Sequence, residues 1–83
     1  MMQKRKDIVF SALPGGEGVL LNLETKRFYT LNPTGAFIYL RHEKGASHNE
    51  ITRALTEDYE VEKEEAEKSV SDFFEELKKI GLI

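Results

Sequence analysis

One segment of the chain, VLLNLETKRFYTLNPTGAFIYL at residues 19–40, restricts the possible folds more than any other. Its first half holds two short apolar runs on either side of a polar TKR turn, which predicts a β-hairpin. Its second half starts at Asn32 and Pro33, where an amide side chain suits a helix N-cap and proline suits the first helical position. The segment therefore predicts two antiparallel strands followed at once by a helix.

A further strand is predicted before the hairpin, and the second strand has two distinguishable faces. Residues 8–13 form a β-prone run that ends in a Pro-Gly-Gly turn. In the second strand, apolar residues alternate with a more polar set, which we expect to form the more solvent-exposed face. The apolar set is Val19, Leu21 and Leu23, and the more polar set is Leu20, Asn22 and Glu24. With a third strand at Arg27–Leu31, the pattern predicts an antiparallel meander whose outer strands are both edges.

Three helices are predicted after the strands. The first runs from Pro33 to Gly45, a glycine suited to a left-handed C-terminal position. Ser47 and Glu50 have the spacing of a capping box and begin the second helix. The third helix has an apolar stripe at helical spacing, with acidic residues at its start and lysines at its end. The stripe consists of Ala66, Val70, Phe73, Phe74, Leu77 and Ile80. The predicted class is α+β, a three-stranded antiparallel β-meander followed by three helices in the winged-helix-like order βββααα.

Length and composition indicate one small domain. The 83 residues predict a single folded unit at residues 8–83 after a flexible N-terminal segment at residues 1–7. Cysteine is absent, which excludes disulfides and thiolate ligands and favours a cytoplasmic location. No apolar run approaches the ~20 residues of a membrane span, so no membrane partner is expected.

We find no converging set of reactive groups in the sequence. The two histidines, His42 and His48, lie on either side of the predicted helix break at Gly45 and lack helical metal-ligand spacing. The carboxylates around residues 60–67 are typical of a solvated helix start. The sequence therefore predicts no catalytic residue, no metal site and no cofactor, and we expect a protein that is not an enzyme.

Short helices beside a β-hairpin also suit a winged-helix DNA-binding regulator, which is the alternative from another functional class. A DNA-binding helix places positive charge against phosphates. Residues 62–79 carry seven acidic side chains against four lysines, and the formal net charge of the chain is −3. The basic run Lys4, Arg5 and Lys6 is too small to reverse that balance, so we expect no nucleic-acid partner.

The predicted third strand has apolar or aromatic residues on both faces although it lies at an edge. Phe28 and Thr30 point to one side, and Tyr29 and Leu31 point to the other. An open edge strand beside an apolar helix stripe is the arrangement used for β-augmentation, in which a peptide adds as a further strand. The alternative is a core strand that the third helix covers on one face. The residues alone leave both readings open.

The motifs LNLET, YTLNPTGA and the C-terminal GLI resemble the PqqD-like family over residues 8–83. These are RiPP recognition elements, small domains that bind the leader segment of a ribosomally made precursor peptide in pathways to pyrroloquinoline quinone, lasso peptides and radical SAM products. One departure is Lys26, where relatives often carry glycine in the hairpin turn.

The resemblance implies that a leader peptide adds to the third strand, in a groove between that strand and the third helix. Carried over, the peptide-binding residues are Arg27, Phe28, Tyr29, Thr30 and Leu31 on the strand, with Lys68, Val70, Ser71, Phe74, Glu75 and Lys78 on the helix. Which of the two aromatic residues faces the groove stays open, because a register shift of one residue exchanges the faces of a strand.

The resemblance also implies the partners. The domain presents the precursor peptide to a separate modifying enzyme, such as a radical SAM protein or a leader peptidase, and needs no cofactor of its own. The pyrroloquinoline quinone pathway protein PqqD is the alternative within the family. Because the edge strand is open, either a monomer or a homodimer is expected.

Overall fold

The computed structural model describes residues 7–82 as one antiparallel sheet followed by three helices. The elements are β1 (Ile8–Ala12), β2 (Gly18–Asn22), β3 (Arg27–Leu31), α1 (Pro33–Glu43), α2 (His48–Tyr59) and α3 (Lys63–Lys79). The strand order is β1-β2-β3, with both neighbouring pairs antiparallel. The predicted α+β class and the order βββααα are confirmed. Of the segment predicted to be flexible, residues 1–6 lie outside the described residues, as does Ile83.

The helix starts follow the predicted capping chemistry. The Asn32 side-chain oxygen accepts a hydrogen bond from the Gly35 N–H at 2.7 Å, and Pro33 occupies the first turn of α1. At α2, the Glu50 N–H donates to Ser47 Oγ at 3.1 Å, and the Ser47 N–H donates to Glu50 Oε1 at 2.8 Å. Each pair satisfies amide groups that a helix start leaves without partners. The chain therefore turns from β3 into α1 without a linker.

Helices α1 and α3 are each followed by a glycine in the left-handed region, whereas α2 ends at Glu60 with a φ of 56°. Gly45 and Gly81 have φ angles of 93° and 79°, a region that side chains other than glycine rarely adopt. After α3, the Leu82 N–H donates to the Leu77 carbonyl at 2.9 Å, and the Leu82 side chain is buried. This reversal places the C-terminal end of α3 against the core, close to the start of α1.

The core lies between the inner face of the sheet and the helices. Helix α1 packs on β2 and β3, and α2 packs along α3. Phe10 stacks on Tyr39 of α1 with ring centroids 5.6 Å apart, and its ring lies where a side chain at Gly18 would stand. The largest fully buried side chains are Leu20, Ile38, Ile51, Leu55, Leu77 and Val70. Through α1, the sheet and the α2–α3 pair share a single core.

The faces of β2 are the reverse of the sequence prediction. Leu20 is fully buried and Asn22 is 7% exposed, whereas Leu21 is half-buried and Leu23 is 45% exposed. Asn22 tolerates the inner position because its side-chain oxygen accepts hydrogen bonds from the N–H groups of Glu24 at 2.9 Å and Thr25 at 3.2 Å. A buried amide with satisfied hydrogen bonds costs little. The apolar face expected inside is therefore the outer face.

The hairpin turn explains how Lys26 replaces glycine. Lys26 has a φ of 65°, in the left-handed region, and its N–H donates to the Asn22 carbonyl at 2.8 Å. The turn thus keeps the conformation that glycine favours, at a cost of about 1–2 kcal/mol for a residue with a Cβ. No different turn type is required.

Candidate functional site

The main-chain hydrogen bonds of β2 determine which groups of β3 face the open edge. The β1–β2 ladder begins with the Leu13 N–H donating to the Glu17 carbonyl at 2.9 Å and ends with the Leu23 N–H donating to the Asp7 carbonyl at 2.7 Å. Hydrogen-bonded pairs alternate along an antiparallel ladder, so the odd-numbered residues of β2 face β1. The even-numbered residues of β2 therefore face β3.

In β3, the residues opposite those even positions are Arg27, Tyr29 and Leu31. Their main-chain groups are directed toward β2, so the N–H and C=O groups of Phe28 and Thr30 point away from the sheet. No further strand of the part described, residues 7–82, pairs with this side of β3. The open edge thus offers two donors and two acceptors to an added strand.

The side chains of β3 divide between the two faces of the sheet. Tyr29 lies opposite the fully buried Leu20 and is half-buried on the inner face, together with Leu31. Phe28 lies opposite Leu21 on the outer face and is 67% exposed. The structure therefore resolves which aromatic faces the helices, and it is Tyr29.

A groove of about 430 Å³ runs between the inner side of β3 and helix α3. Its walls are Tyr29, Thr30, Leu31 and Asn32 from the strand side, Gly35 from α1, and Phe73, Glu76, Leu77 and Ile80 from α3. A Cβ atom at Gly35 would lie 3.1 Å from the Phe73 ring, so the glycine lets that ring sit close against α1. The apolar walls and the open edge border the same space, which suits an extended peptide.

Four of the helix residues assigned to this site from the sequence lie on the opposite, exposed side of α3. These are Lys68, Ser71, Glu75 and Lys78. At about 100° per residue, their positions lie 140° or more from Phe73 around the helix axis. Lys68 is instead paired with Asp72 at 3.1 Å along the same helix. The structure does not bring these four side chains to the groove, and a role for them in binding stays a prediction.

The two apolar helix residues of that assignment, Val70 and Phe74, lie in the core. They are 2% and 4% exposed, and Phe74 packs against His48 at 4.4 Å and His42 at 4.9 Å between ring centroids. The assignment omits Asn32 and Gly35 and all four groove residues of α3, which are Phe73, Glu76, Leu77 and Ile80. Three of them belong to the predicted apolar stripe, which is wide enough to serve both the core and the groove. The apolar spacing in the sequence therefore indicated these residues, but it did not show which of them face the core and which face the groove.

Charge near the groove is mainly negative. Glu76 lies on its α3 rim, and Asp72 lines the adjoining shallow depression beside Ser69 and Phe73. On the strand side Arg27 is exposed at the start of β3.

Two groups with shifted pKa lie away from the groove, at the junction of the helices with the sheet. Burial, reinforced by His48, lowers the pKa of His42, and burial beside Glu43 raises the pKa of Tyr39.

A second depression, of about 510 Å³, lies between α2 and α3 on another side of the molecule. Its lining is polar and mixes both signs of charge, with Arg53 and Lys63 near Glu67. It has no open strand edge beside it.

Among residues 7–82, no group of three or more His, Cys, Asp or Glu side chains is arranged to hold a metal. None of the described helices combines the length and apolar character needed to cross a membrane.

Comparison with protein families identifies the group to which this fold belongs. The family model described as coenzyme PQQ synthesis protein D (PqqD) matches residues 17–83. The chain belongs to the PqqD family. The predicted resemblance is therefore confirmed over most of its length. A comparison with curated proteins found no match.

Two solved structures of similar fold are complexes with leader peptides. The chain is similar to TbiB1 in complex with the TbiA(beta) leader peptide, with 28% identity, a TM-score of 0.86, and coverage of 98% of this chain and 93% of that one. It is also similar to lasso peptide synthetase B1 complexed with the leader peptide, with 32% identity, a TM-score of 0.84, and coverage of 95% and 92%.

Proposed function

We propose that this PqqD-family protein binds the leader segment of a ribosomally synthesised precursor peptide as a fourth strand on β3. The observation that carries the proposal is the free main-chain edge of Phe28 and Thr30 beside an apolar groove. Similar structures with 28% and 32% identity were solved with leader peptides, which supports the same ligand class here. Binding by β-augmentation uses main-chain hydrogen bonds for affinity and side-chain pockets for specificity.

In this proposal, each part of the groove has a separate role. The edge groups of Phe28 and Thr30 hold the peptide backbone, and the peptide residue opposite Tyr29 directs its side chain inward. That side chain lies between Tyr29 and the α3 residues Phe73 and Ile80 that line the groove. Burial of an apolar side chain contributes about 1.5–3 kcal/mol, so one such anchor accounts for much of the specificity.

The bound peptide is then presented to a separate modifying enzyme. The protein contributes no chemistry itself and raises the local concentration of the precursor at a radical SAM protein or a leader peptidase. The PqqD role in pyrroloquinoline quinone biosynthesis is the alternative within the family. Binding measurements distinguish these two roles. They compare the affinity for the leader of a lasso-peptide precursor with the affinity for the pyrroloquinoline quinone precursor.

Proline placed at Thr30 tests the proposal. Thr30→Pro removes an N–H that faces the open edge while leaving the β2–β3 hydrogen bonds, which proline tolerates at an edge strand. We expect an affinity for the labelled leader at least about tenfold weaker, from one lost hydrogen bond and the bulk of the ring. Fluorescence anisotropy measures the affinity, and circular dichroism checks the fold.

Two control variants distinguish the loss of the β3 edge N–H from a general disturbance of the sheet. Thr30→Val keeps the N–H and the branched shape, so its affinity should match the wild type. Ala12→Pro removes an N–H that faces the opposite, β1 edge, because the odd-numbered residues of β1 pair with β2. If Ala12→Pro weakens binding as much as Thr30→Pro, the leader does not occupy the β3 edge.

A further inference from the structure

The outer face of the sheet has an unusual composition for an uncovered surface. Its outward positions are Val9, Ser11, Val19, Leu21, Phe28 and Thr30, all of them uncharged. Val9, Leu21 and Phe28 are register partners and form one apolar row across the three strands. Val9 is 40% exposed and Phe28 is 67% exposed. The row ends at the open edge of β3.

Strand geometry connects this row to the peptide edge. Side chains alternate between the faces of a strand, and paired residues on neighbouring strands point to the same face. A peptide residue opposite Tyr29 therefore enters the groove, and the residue next to it, opposite Phe28, faces outward. The same holds for parallel and antiparallel addition, because the free groups of Phe28 and Thr30 flank Tyr29 in both cases. The outward side chain lies beside the Phe28 ring, with Cβ atoms about 4.5–5.5 Å apart.

We infer that Phe28 is a second specificity determinant, which selects an apolar side chain at the outward peptide position opposite it. This inference rests on the proposed function. Leu21 is the cross-strand partner of Phe28 on the β2 side, and an added strand places a second side chain next to Phe28 on its open side. At the next outward position, Thr30 offers a hydroxyl and a small methyl group and selects no apolar partner. The recognised segment thus contains two adjacent apolar residues, one in the groove and one on Phe28.

Selection from a randomised peptide-display library tests this inference with the 83-residue chain. The selection is run on the wild type, on Phe28→Thr, which keeps strand propensity, and on Phe28→Tyr, which keeps the ring. We expect the wild type and Phe28→Tyr to enrich two adjacent apolar positions. We expect Phe28→Thr to retain one of them, the position that enters the groove.

Affinity measurements on the enriched peptide make the test quantitative. Serine at the outward position should weaken binding to the wild type by about two- to fivefold, the size of a cross-strand aromatic pair. The same peptide change should have no effect on Phe28→Thr, since the partner ring is already absent. Serine at the groove position should weaken binding to both proteins.

The outcomes separate this inference from the proposed function. If both proteins enrich the same motif, with equal losses for serine at the outward position, Phe28 selects nothing and the inference fails while the proposed function stands. If the enriched peptides bind equally well to Thr30→Pro, or if the wild type enriches none, the β3 edge is not the binding site. Both proposals then fail.

Discussion

Leu20 and Leu21 are neighbours in β2 with identical side chains and opposite surroundings. Leu20 points to the inner face, opposite Tyr29, and is fully buried under α1, whereas Leu21 points to the outer face and is half-buried beside Phe28. The inner face also holds the polar Asn22, while the outer face of β2 has only apolar residues. The more apolar face of this strand is thus the one that the helices leave uncovered.

This difference shows that composition alone does not decide which face of a strand is buried. Helix α1 follows β3 directly, since Asn32 caps it, and it packs back on the inner face. An apolar outer face that stays uncharged needs another explanation, because solvated sheet faces normally alternate with polar residues. The peptide strand that we propose to add at the β3 edge supplies one for Phe28, where the apolar row ends.

Alanine at each leucine gives the largest expected difference. Leu20→Ala should lower the free energy of unfolding by about 2–5 kcal/mol, because it leaves a cavity between the sheet and α1. Leu21→Ala should cost less than about 1 kcal/mol, since half-exposed side chains lose little burial. Urea denaturation of the two variants measures both values. Equal losses would mean that the outer face is covered in solution, contrary to the structure.

Asn22 tests why a polar residue is tolerated on the inner face. Asn22→Leu removes the acceptor for the Glu24 and Thr25 N–H groups and should cost about 1–3 kcal/mol, despite the added apolar surface. Asn22→Asp keeps a side-chain oxygen at the same place and should cost less. Thermal unfolding ranks the three proteins. A leucine variant as stable as the wild type would show that the turn does not depend on this side chain.

The smallest expected effect concerns the helices that cover the inner face. The pKa of His42 is lowered from its usual 6.5, first by burial and then by His48, so the unfolded chain binds a proton more readily than the folded one. The free energy of unfolding should therefore have its full value above pH 6.5 and decrease as the pH falls through the lowered pKa of His42. Unfolding midpoints measured across this range should slope in the wild type and flatten in His42→Gln. The same slope in both proteins would assign the effect to other groups.

Much of the fold could be predicted because its signals are local. Asn32 with Pro33 and Ser47 with Glu50 act within one helical turn, and the structure confirms both caps. The open β3 edge also followed from strand order. The peptide-binding assignment on α3 stays a prediction, and the sequence could not divide the apolar stripe of α3 between the core and the groove, because the stripe contains residues of both. Phe73 and Phe74 have identical side chains, and only their position around the helix decides that Phe73 lines the groove while Phe74 lies in the core.

The sequence by itself determined the order of the elements, the N-caps Asn32 and Ser47, the open edge strand and the family. Only the tertiary structure decided that Tyr29 faces the groove, that Phe28 faces outward, and that Phe73 rather than Phe74 lines α3's side of the groove. The physical reason is the distance along the chain over which each interaction acts. Caps and turns depend on groups within about four residues of one another. The face that an element buries depends on helices and strands distant in the chain, and a strand period of two permits either face equally well.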